Sequence, residues 1–127
     1  DTTVLTFNFQ GTEIISHNES SLYYYTENNR DCIVTFIAPS DSAMISIEIK
    51  RAVLKSMTSW CSTSLKIYSG LNIDSPAITS DICEDHLGAK MIFVPGDSVA
   101  IRFRTGIKSQ ADFQLVLTSF GCHKKVF

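Results

Sequence analysis

The sequence lacks the features that several broad classes of protein require. No apolar run approaches the ~18–20 residues needed to cross a bilayer, so we expect no membrane span. Lys and Arg number only 11 against 13 Asp and Glu, for a formal net charge of −2. A dedicated nucleic-acid-binding domain is usually strongly basic, so we expect no nucleic-acid partner. Charged residues make up only 19% and hydrophobic residues 44%, which excludes an intrinsically disordered chain.

Residues that could form a catalytic or metal site are also few. The three histidines, His17, His86 and His123, stand in no catalytic motif, although a triad assembles in space and not in sequence. Residues 96–98 (Gly-Asp-Ser) follow a proline and are typical of a turn. Residues 84–86 (Glu-Asp-His) have no second ligand cluster at a metal-binding spacing. We therefore predict no catalytic residue, no metal ion and no cofactor.

Cysteines are few and widely spaced. None of Cys32, Cys61, Cys83 and Cys122 forms a Cys-x-x-Cys pair, which excludes zinc-ribbon and thioredoxin-like sites. An even number of separated cysteines is typical of two disulfides in an oxidising compartment; four free thiols in a cytosolic protein are the alternative. The Asn-Glu-Ser sequon at Asn18 predicts N-glycosylation. We therefore predict a secreted protein, and we expect its signal peptide to have been removed because the first residues are polar.

Hydrophobic residues recur with a period of two along most of the chain, which is typical of strands with one buried face. Turn residues separate these short segments, and a chain of this length suits one domain. A strand with one apolar face must bury it against a second layer. The pattern therefore predicts an all-β, two-sheet antiparallel β-sandwich. The alternating segments are residues 5–9, 33–37, 45–49, 65–67, 99–104 and 113–117.

An ordered series of motifs resembles the CUB domain, an extracellular β-sandwich of complement proteases, astacin-type proteinases, neuropilins and spermadhesins. Residues 32–39 (CIVTFIAP) resemble the family's C-x-W-x-I-x-x-P strand, with Val34 in place of Trp. Cys61 with residues 65–70 (LKIYSG) resembles C-x-x-D-x-L-x-I-x-D-G, and residues 99–104 with 113–115 resemble the two closing strands.

The resemblance runs from about residue 11 to residue 120 and implies a jelly-roll-like sandwich. The prediction is one CUB-like domain over residues 1–127, similar to the single-domain plan of spermadhesins, with residues 121–127 as a C-terminal tail. The resemblance also implies a Cys61–Cys83 disulfide, which leaves Cys32 and Cys122 as the second pair. The family's N-terminal cysteine is missing here, so an unpaired or intermolecular Cys122, with Cys32 free, remains the alternative.

Calcium binding at the family's usual site is not expected. Many CUB domains hold the ion with a Glu, an Asp and a second Asp, because hard cations need converging carboxylates. The matching positions here are Lys55, Thr63 or Ser64, and Gly106. The acids have therefore been replaced, and one position carries a cation.

Two groups of residues are candidates for binding a partner. The first is a basic edge in the loop predicted after the 45–49 strand and in the loop near Gly106, which would suit an anionic glycan; scattered surface cations, with Trp60 packed on the disulfide, are the alternative. The second is Tyr24 in a run of three tyrosines, where core packing is the alternative. The basic-edge candidates are Lys55, Met57, Trp60, Arg104 and Lys108.

The resemblance implies a secreted, non-catalytic recognition module that binds an extracellular protein or an anionic glycan. Three alternatives remain: a structural or assembly subunit of an extracellular matrix or filament, a domain of a larger ectodomain, and a secreted enzyme or toxin whose site the sequence does not reveal. An unpaired edge strand would favour assembly. The sequence leaves the oligomeric state open.

Overall fold

The computed structural model describes residues 2–20, 29–56, 60–83 and 90–121, and in those ranges it contains strands and no helix. Short runs of β-branched and aromatic residues, separated by turn residues, explain this preference. The eight strands are β1 (Thr2–Asn8), β2 (Thr12–Ser20), β3 (Asp31–Ile37), β4 (Ser42–Ser56), β5 (Ser64–Tyr68), β6 (Lys90–Pro95), β7 (Ser98–Arg104) and β8 (Ser109–Gly121).

The strands form two four-stranded sheets. One sheet has the order β1-β3-β7-β5 and the other β2-β8-β4-β6. Every pairing is antiparallel except that of β1 with β3, which is parallel. The predicted all-β, two-sheet sandwich is confirmed. The parallel pairing of β1 with β3 is a feature that the sequence pattern did not predict.

The core lies between the two sheets and is built from alternate residues of each central strand. Ile45, Ile47 and Ile49 of β4 are fully buried, because β4 lies between β8 and β6 and its inner face is covered by the other sheet. These side chains belong to one continuous cluster with residues of both sheets, including Ile101 and Leu117. This cluster is the main core, and a smaller one is formed by Ile33, Tyr68 and Ala100.

Strand β4 is longer than the sequence analysis expected. The register between β4 and β8 shifts between Ile49 and Arg51, so one extra residue is accommodated by a β-bulge. The inward alternation then resumes at Ala52 and Leu54, which are both buried. Lys55 therefore lies on a strand and not in the predicted loop, because the bulge hides the continuation of the period-two pattern.

Among the described residues, no further strand covers the edge strands β1 and β2 on one side of the sandwich. All seven residues of β1 are exposed. Val4 is 64%, Leu5 47% and Phe7 48% exposed. Leu5 and Phe7 pair in register with Val34 and Phe36, which face the other sheet. Their side chains therefore point towards the space between the sheets and are only partly covered.

Candidate functional site

Several strands begin or finish at one end of the sandwich, which we call the loop end. There β4 finishes at Ser56 opposite Ser109, the first residue of β8. On the other sheet β7 finishes at Arg104, which pairs with Ser64 at the start of β5. Strand register therefore brings the segment after β4, the segment before β5 and the turn at residues 105–108 to the same place.

The positions that match the family's calcium ligands are surrounded by hydroxyl groups. The Ser62 Oγ donates a hydrogen bond to the Ser56 Oγ at 2.5 Å, and the Gly106 N–H donates to the Thr63 Oγ1 at 3.2 Å. The Ser109 Oγ donates to the carbonyl of Gly106 at 2.8 Å. Across the described ranges, no group of three or more His, Cys, Asp or Glu is placed to hold a metal ion.

Gly106 is required by this close packing. A Cβ added at residue 106 would lie 2.4 Å from the Ser62 Oγ and 3.4 Å from the Ser56 Oγ. Hydroxyl groups that bond to each other and to the backbone are already satisfied. The cluster therefore acts as a neutral, closely packed junction between the turn at 105–108 and the end of β4.

Cations surround this junction, and one of them was missed by the sequence analysis. Lys55 is exposed and Lys108, at a positive φ of 52°, is half-buried. Arg104 forms an ion pair with Asp81 at 3.2 Å, so its charge is partly neutralised. Arg30 is exposed just before β3. Its sequence neighbourhood carries no binding motif, and only the fold brings it to the loop end.

Arg30 and Arg104 line a polar cleft of about 430 Å³ at the loop end. The Arg30 N–H donates to the Thr105 Oγ1, and the Thr105 N–H donates to the Arg30 carbonyl, both at 3.0 Å. This pair of bonds fixes the Arg30 backbone against the end of β7. The cleft is also lined by Thr2, Asn29, Asp31 and Ser62.

Trp60 and the disulfide lie on the neighbouring surface. Cys61 and Cys83 form a disulfide with their Cα atoms 5.1 Å apart, as the resemblance implied. Trp60 is 77% exposed, so it presents its indole to solvent rather than packing on the disulfide. It lines a second polar pocket with Asp81 and Lys90.

The best-defined electrostatic interaction lies on the outer face of the first sheet. Arg102 donates two hydrogen bonds to Asp31, from Nε to Oδ1 at 2.9 Å and from Nη2 to Oδ2 at 2.7 Å. The bidentate bond to Arg102, with a further bond from the Thr2 hydroxyl, lowers the pKa of Asp31. The same contact raises the pKa of Arg102. The Arg102 guanidinium is therefore held in an ion pair with the Asp31 carboxylate.

Replacing Asp31 by Asn is expected to lower the free energy of unfolding at neutral pH by about 1 kcal/mol, since a bidentate pair is only partly screened by solvent. The folded-state pKa of Asp31 is depressed. Its contribution is therefore complete above the unfolded-state pKa of ~3.9 and is lost as the pH falls through the folded-state value. The melting temperatures of wild type and variant, followed by circular dichroism, should converge below about pH 4. A gap that stays constant as the pH falls well below 4 would contradict this assignment, and Asp81→Asn is the matched, more exposed control.

Some predicted residues lie outside the described ranges. They are Tyr24, Met57 and Cys122, and predictions about them stay predictions. Asn18 is exposed on β2, and its glycosylation stays a prediction. Cys32 is half-buried and forms no disulfide within the described part of the chain.

Comparison with known proteins gives a structural match without a sequence match. No protein-family model and no curated protein matches the sequence. The chain is similar to the CUB1-EGF-CUB2 domains of rat MASP-1, with a TM-score of 0.65 and 11% identity over 96% of this chain and 45% of that one. It is similar to the extracellular region of zebrafish Gpr126/Adgrg6, with a TM-score of 0.62 and 16% identity over 95% of this chain and 15% of that one.

An isolated domain matches over nearly its whole length. The MASP-1 CUB2 domain bound to Ca²⁺ matches with a TM-score of 0.63 and 14% identity, over 91% of this chain and 96% of that domain. Similarity at such low identity establishes the fold alone. A disulfide is typical of an oxidising compartment, and no helix in the described ranges could span a membrane. The overlay on nearly all of one CUB2 domain, together with the two four-stranded sheets, shows that this chain has a CUB-like fold.

Proposed function

We propose that this chain is a secreted, non-catalytic recognition domain, one unit over residues 1–127, that binds an anionic glycan at the loop end without calcium. The observation that carries the proposal is the polar cleft lined by Arg30 and Arg104, with Lys55 and Lys108 near it. A concave, cation-lined surface concentrates anions even on a protein of net negative charge. A sulfated sugar chain is the partner that fits such a surface best.

The hydroxyl junction supports calcium-independent binding. Calcium sites need several oxygen ligands, usually with carboxylates among them. Ser56, Ser62 and Thr63 offer neutral oxygens that are already hydrogen-bonded to their neighbours. The cations around them would repel a divalent ion and attract sulfate or carboxylate groups. The chemistry of the edge is therefore opposite in sign to that of a calcium site.

Trp60 supplies an apolar contact beside the charged one. An exposed indole loses little conformational entropy on binding and buries a large flat area. Trp60 is next to Cys61 of the disulfide and lines a pocket together with Asp81, which is the ion-pair partner of Arg104. The indole would then pack against a sugar ring while the cations contact its anionic groups. A single partner could thus use both surfaces.

The test is chromatography of the purified chain on immobilised heparin across a salt gradient, with and without calcium. We expect elution above about 0.15 M salt, where long-range charge effects are already screened over roughly 8 Å, and no change on adding calcium. The triple variant Lys55→Gln/Arg104→Gln/Lys108→Gln should flow through at that salt concentration. Trp60→Ala should elute earlier than wild type but later than the triple variant.

A control of equal charge change separates site binding from net charge. The control is the variant Lys50→Gln/Arg51→Gln/Lys66→Gln, which removes three cations from the faces of strands. It also removes the ion pairs that Lys50 and Arg51 form with Glu48 and Asp112. It should elute like wild type. Equal losses in both triple variants, or no retention of wild type, would refute the glycan proposal and favour an extracellular protein as the partner.

An assembly role is the second candidate, and one observation favours it. β1 is an exposed edge strand with no charged residue, whereas edge strands are normally protected by charges, prolines or bulges. Light scattering under non-reducing conditions distinguishes the candidates. A mass that rises with concentration, together with no heparin retention, would support assembly.

A further inference from the structure

The outer face of the second sheet, which has the order β2-β8-β4-β6, carries a patch of apolar side chains. The patch lies in the half of the sheet away from the loop end, where β4 begins and β8 finishes. Its side chains are exposed or half-buried, and Phe93 is 55% exposed. We call this patch the outer apolar face, and it consists of Ile14, Met44, Met91, Phe93, Val116 and Phe120.

Strand register arranges this face in rows that cross all four strands. Met91 of β6 lies in the same row as Ile14 of β2, through the paired residues of β4 and β8. Phe93 of β6 lies in the same row as Thr12 of β2. Strands are about 4.8 Å apart, so the two outer members of a row are roughly 14 Å apart within one chain. They can therefore contact each other only between two chains.

The composition of the outer apolar face resembles the centre of a protein–protein interface, which is apolar and depleted in charged residues. Its one acid, Glu48, forms an ion pair with Lys50 at 3.7 Å. The outer face of the first sheet differs, because it carries the Asp31–Arg102 pair and its buried residue Ile33 is in a cluster covered by Ile73. Among the described residues, the second sheet has no such cover.

The extent of this face suits a weak dimer. Rows on one face of a strand repeat about every 6.8 Å, so three rows across four strands cover roughly 400 Å² of flat sheet. A standard interface buries about 800 Å² on each partner, with an apolar centre and a polar rim. The outer apolar face supplies the centre, and the polar rows nearer the loop end, such as that of Ser16 and Gln114, supply the rim.

A second copy of the chain fits this face because the rows are self-complementary. A two-fold axis parallel to the strands, between β4 and β8, places β6 of one copy over β2 of the other. The large Phe93 then faces the small Thr12, and Met91 faces Ile14. β4 faces β8 in the same way, so apolar residues of the two copies meet. Aligned sheets pack in this manner about 10 Å apart.

We propose that the outer apolar face forms a reversible dimer of this chain, with a two-fold axis parallel to the strands between β4 and β8. The loop end stays uncovered, because it lies at the opposite end of β4. Asn18 lies four residues beyond Ile14 on β2, about 13 Å away, and so outside the apolar rows. The dimer goes beyond the proposed glycan function and does not depend on it. It also differs from assembly through β1, which belongs to the other sheet.

The first experiment is sedimentation equilibrium of the full chain over a range of concentrations. We expect a monomer–dimer equilibrium with a dissociation constant on the order of 10 μM and no growth beyond two chains. Phe93→Thr should raise this constant about tenfold, as for the loss of one aromatic anchor. Phe7→Thr is the matched control, because Phe7 is 48% exposed on β1, and it should dimerise like wild type. Circular dichroism checks that both variants are folded.

The second experiment tests the two-fold arrangement with a complementary charge pair. Ile14→Glu and Met91→Lys should each stay monomeric, because a dimer of either variant would bury two unpaired charges. An equimolar mixture of the two should associate, since the mixed dimer joins the new carboxylate to the new amine and keeps one native contact. Both side chains are exposed in the single chain, so the substitutions leave its core intact.

Four results would overturn the proposal. They are a wild type that stays monomeric, a dimer that is held by a disulfide under denaturing conditions, association that is lost in Phe7→Thr but kept in Phe93→Thr, and a mixture that associates no more than its components. None of these variants removes a cation from the loop end, so dimerisation and heparin retention can fail separately. Unfolding measured well below the dissociation constant reports on the single chain.

Discussion

Ile47→Ala is expected to lower the free energy of unfolding by about 4 kcal/mol, the upper part of the range for a buried aliphatic side chain. Ile47 is fully buried on the central strand β4, between Leu117 of β8 and Ile92 of β6. The paired backbones of β8 and β6 hold the surrounding residues in place, so the cavity cannot collapse easily. Urea unfolding followed by circular dichroism measures the loss.

Ile14→Ala is the control for this prediction. Ile14 has the same side chain and also lies on a strand, but it faces outward and is 59% exposed. We expect a loss within about 0.5 kcal/mol, as for most surface substitutions. Equal losses at the two positions would mean that β4 is not the centre of the core.

Removal of the disulfide, by Cys61→Ser/Cys83→Ser, is expected to lower the free energy of unfolding by about 3 kcal/mol. The bridge closes a loop with a sequence separation of 22, and most of its effect comes from restricting the unfolded chain. The loop contains β5 and returns through the bridge between Leu65 and Ile82. Its loss should therefore also loosen the loop end and weaken heparin retention.

The matched measurement is unfolding of the wild type with and without a reductant. If the Cys61–Cys83 bridge is the main contributor, reduction should destabilise the wild type as much as the double substitution does. Reduction should then have little further effect on the double variant. A stability unchanged by both treatments would show that the loop is held by packing alone.

Cys32→Ser tests the second predicted bridge. Gly121 pairs with Ser42, at the end of the sandwich where β3 finishes, whereas Cys32 lies near the start of β3, five residues before Ile37. Five residues of strand span about 17 Å, and disulfide Cα atoms lie less than about 7 Å apart. Cys122 follows Gly121 directly, and consecutive Cα atoms are only about 3.8 Å apart. The Cys32–Cys122 pairing, which stays a prediction, therefore requires the end of β8 to leave its pairing with Ser42. Thiol titration of the unfolded protein will count the free cysteines.

The strands themselves could be predicted because each carries its own signal. The alternation at residues 45–49 and at 99–104 requires one buried face, and the turn residues at 96–97 separate β6 from β7. The end of β4 could not be predicted in the same way. The bulge after Ile49 interrupts the alternation. Whether the strand continues beyond the bulge depends on its pairing with β8, which begins 60 residues further along the chain.

The candidate site was only partly predictable for the same reason. Lys55 and Lys108 were candidates because the family resemblance placed their loops together. Arg30 and Asp81 were not, because each acquires its role from a residue that is distant in sequence: Arg30 from Thr105 and Asp81 from Arg104. Such partners leave no local pattern.

By itself, the sequence determined the class of this protein: an all-β sandwich with a CUB-like series of motifs, a bridged pair at Cys61 and Cys83, and no acids at the calcium positions. The all-β class follows from local alternation and turn chemistry, whereas the Cys61–Cys83 pair and the calcium positions are what the family resemblance implied. Only the tertiary structure decided which cations share a cleft, which of them are neutralised by carboxylates, and which side chains of four strands form the outer apolar face. Those features depend on strand register and sheet order, which bring together residues that no short stretch of sequence connects.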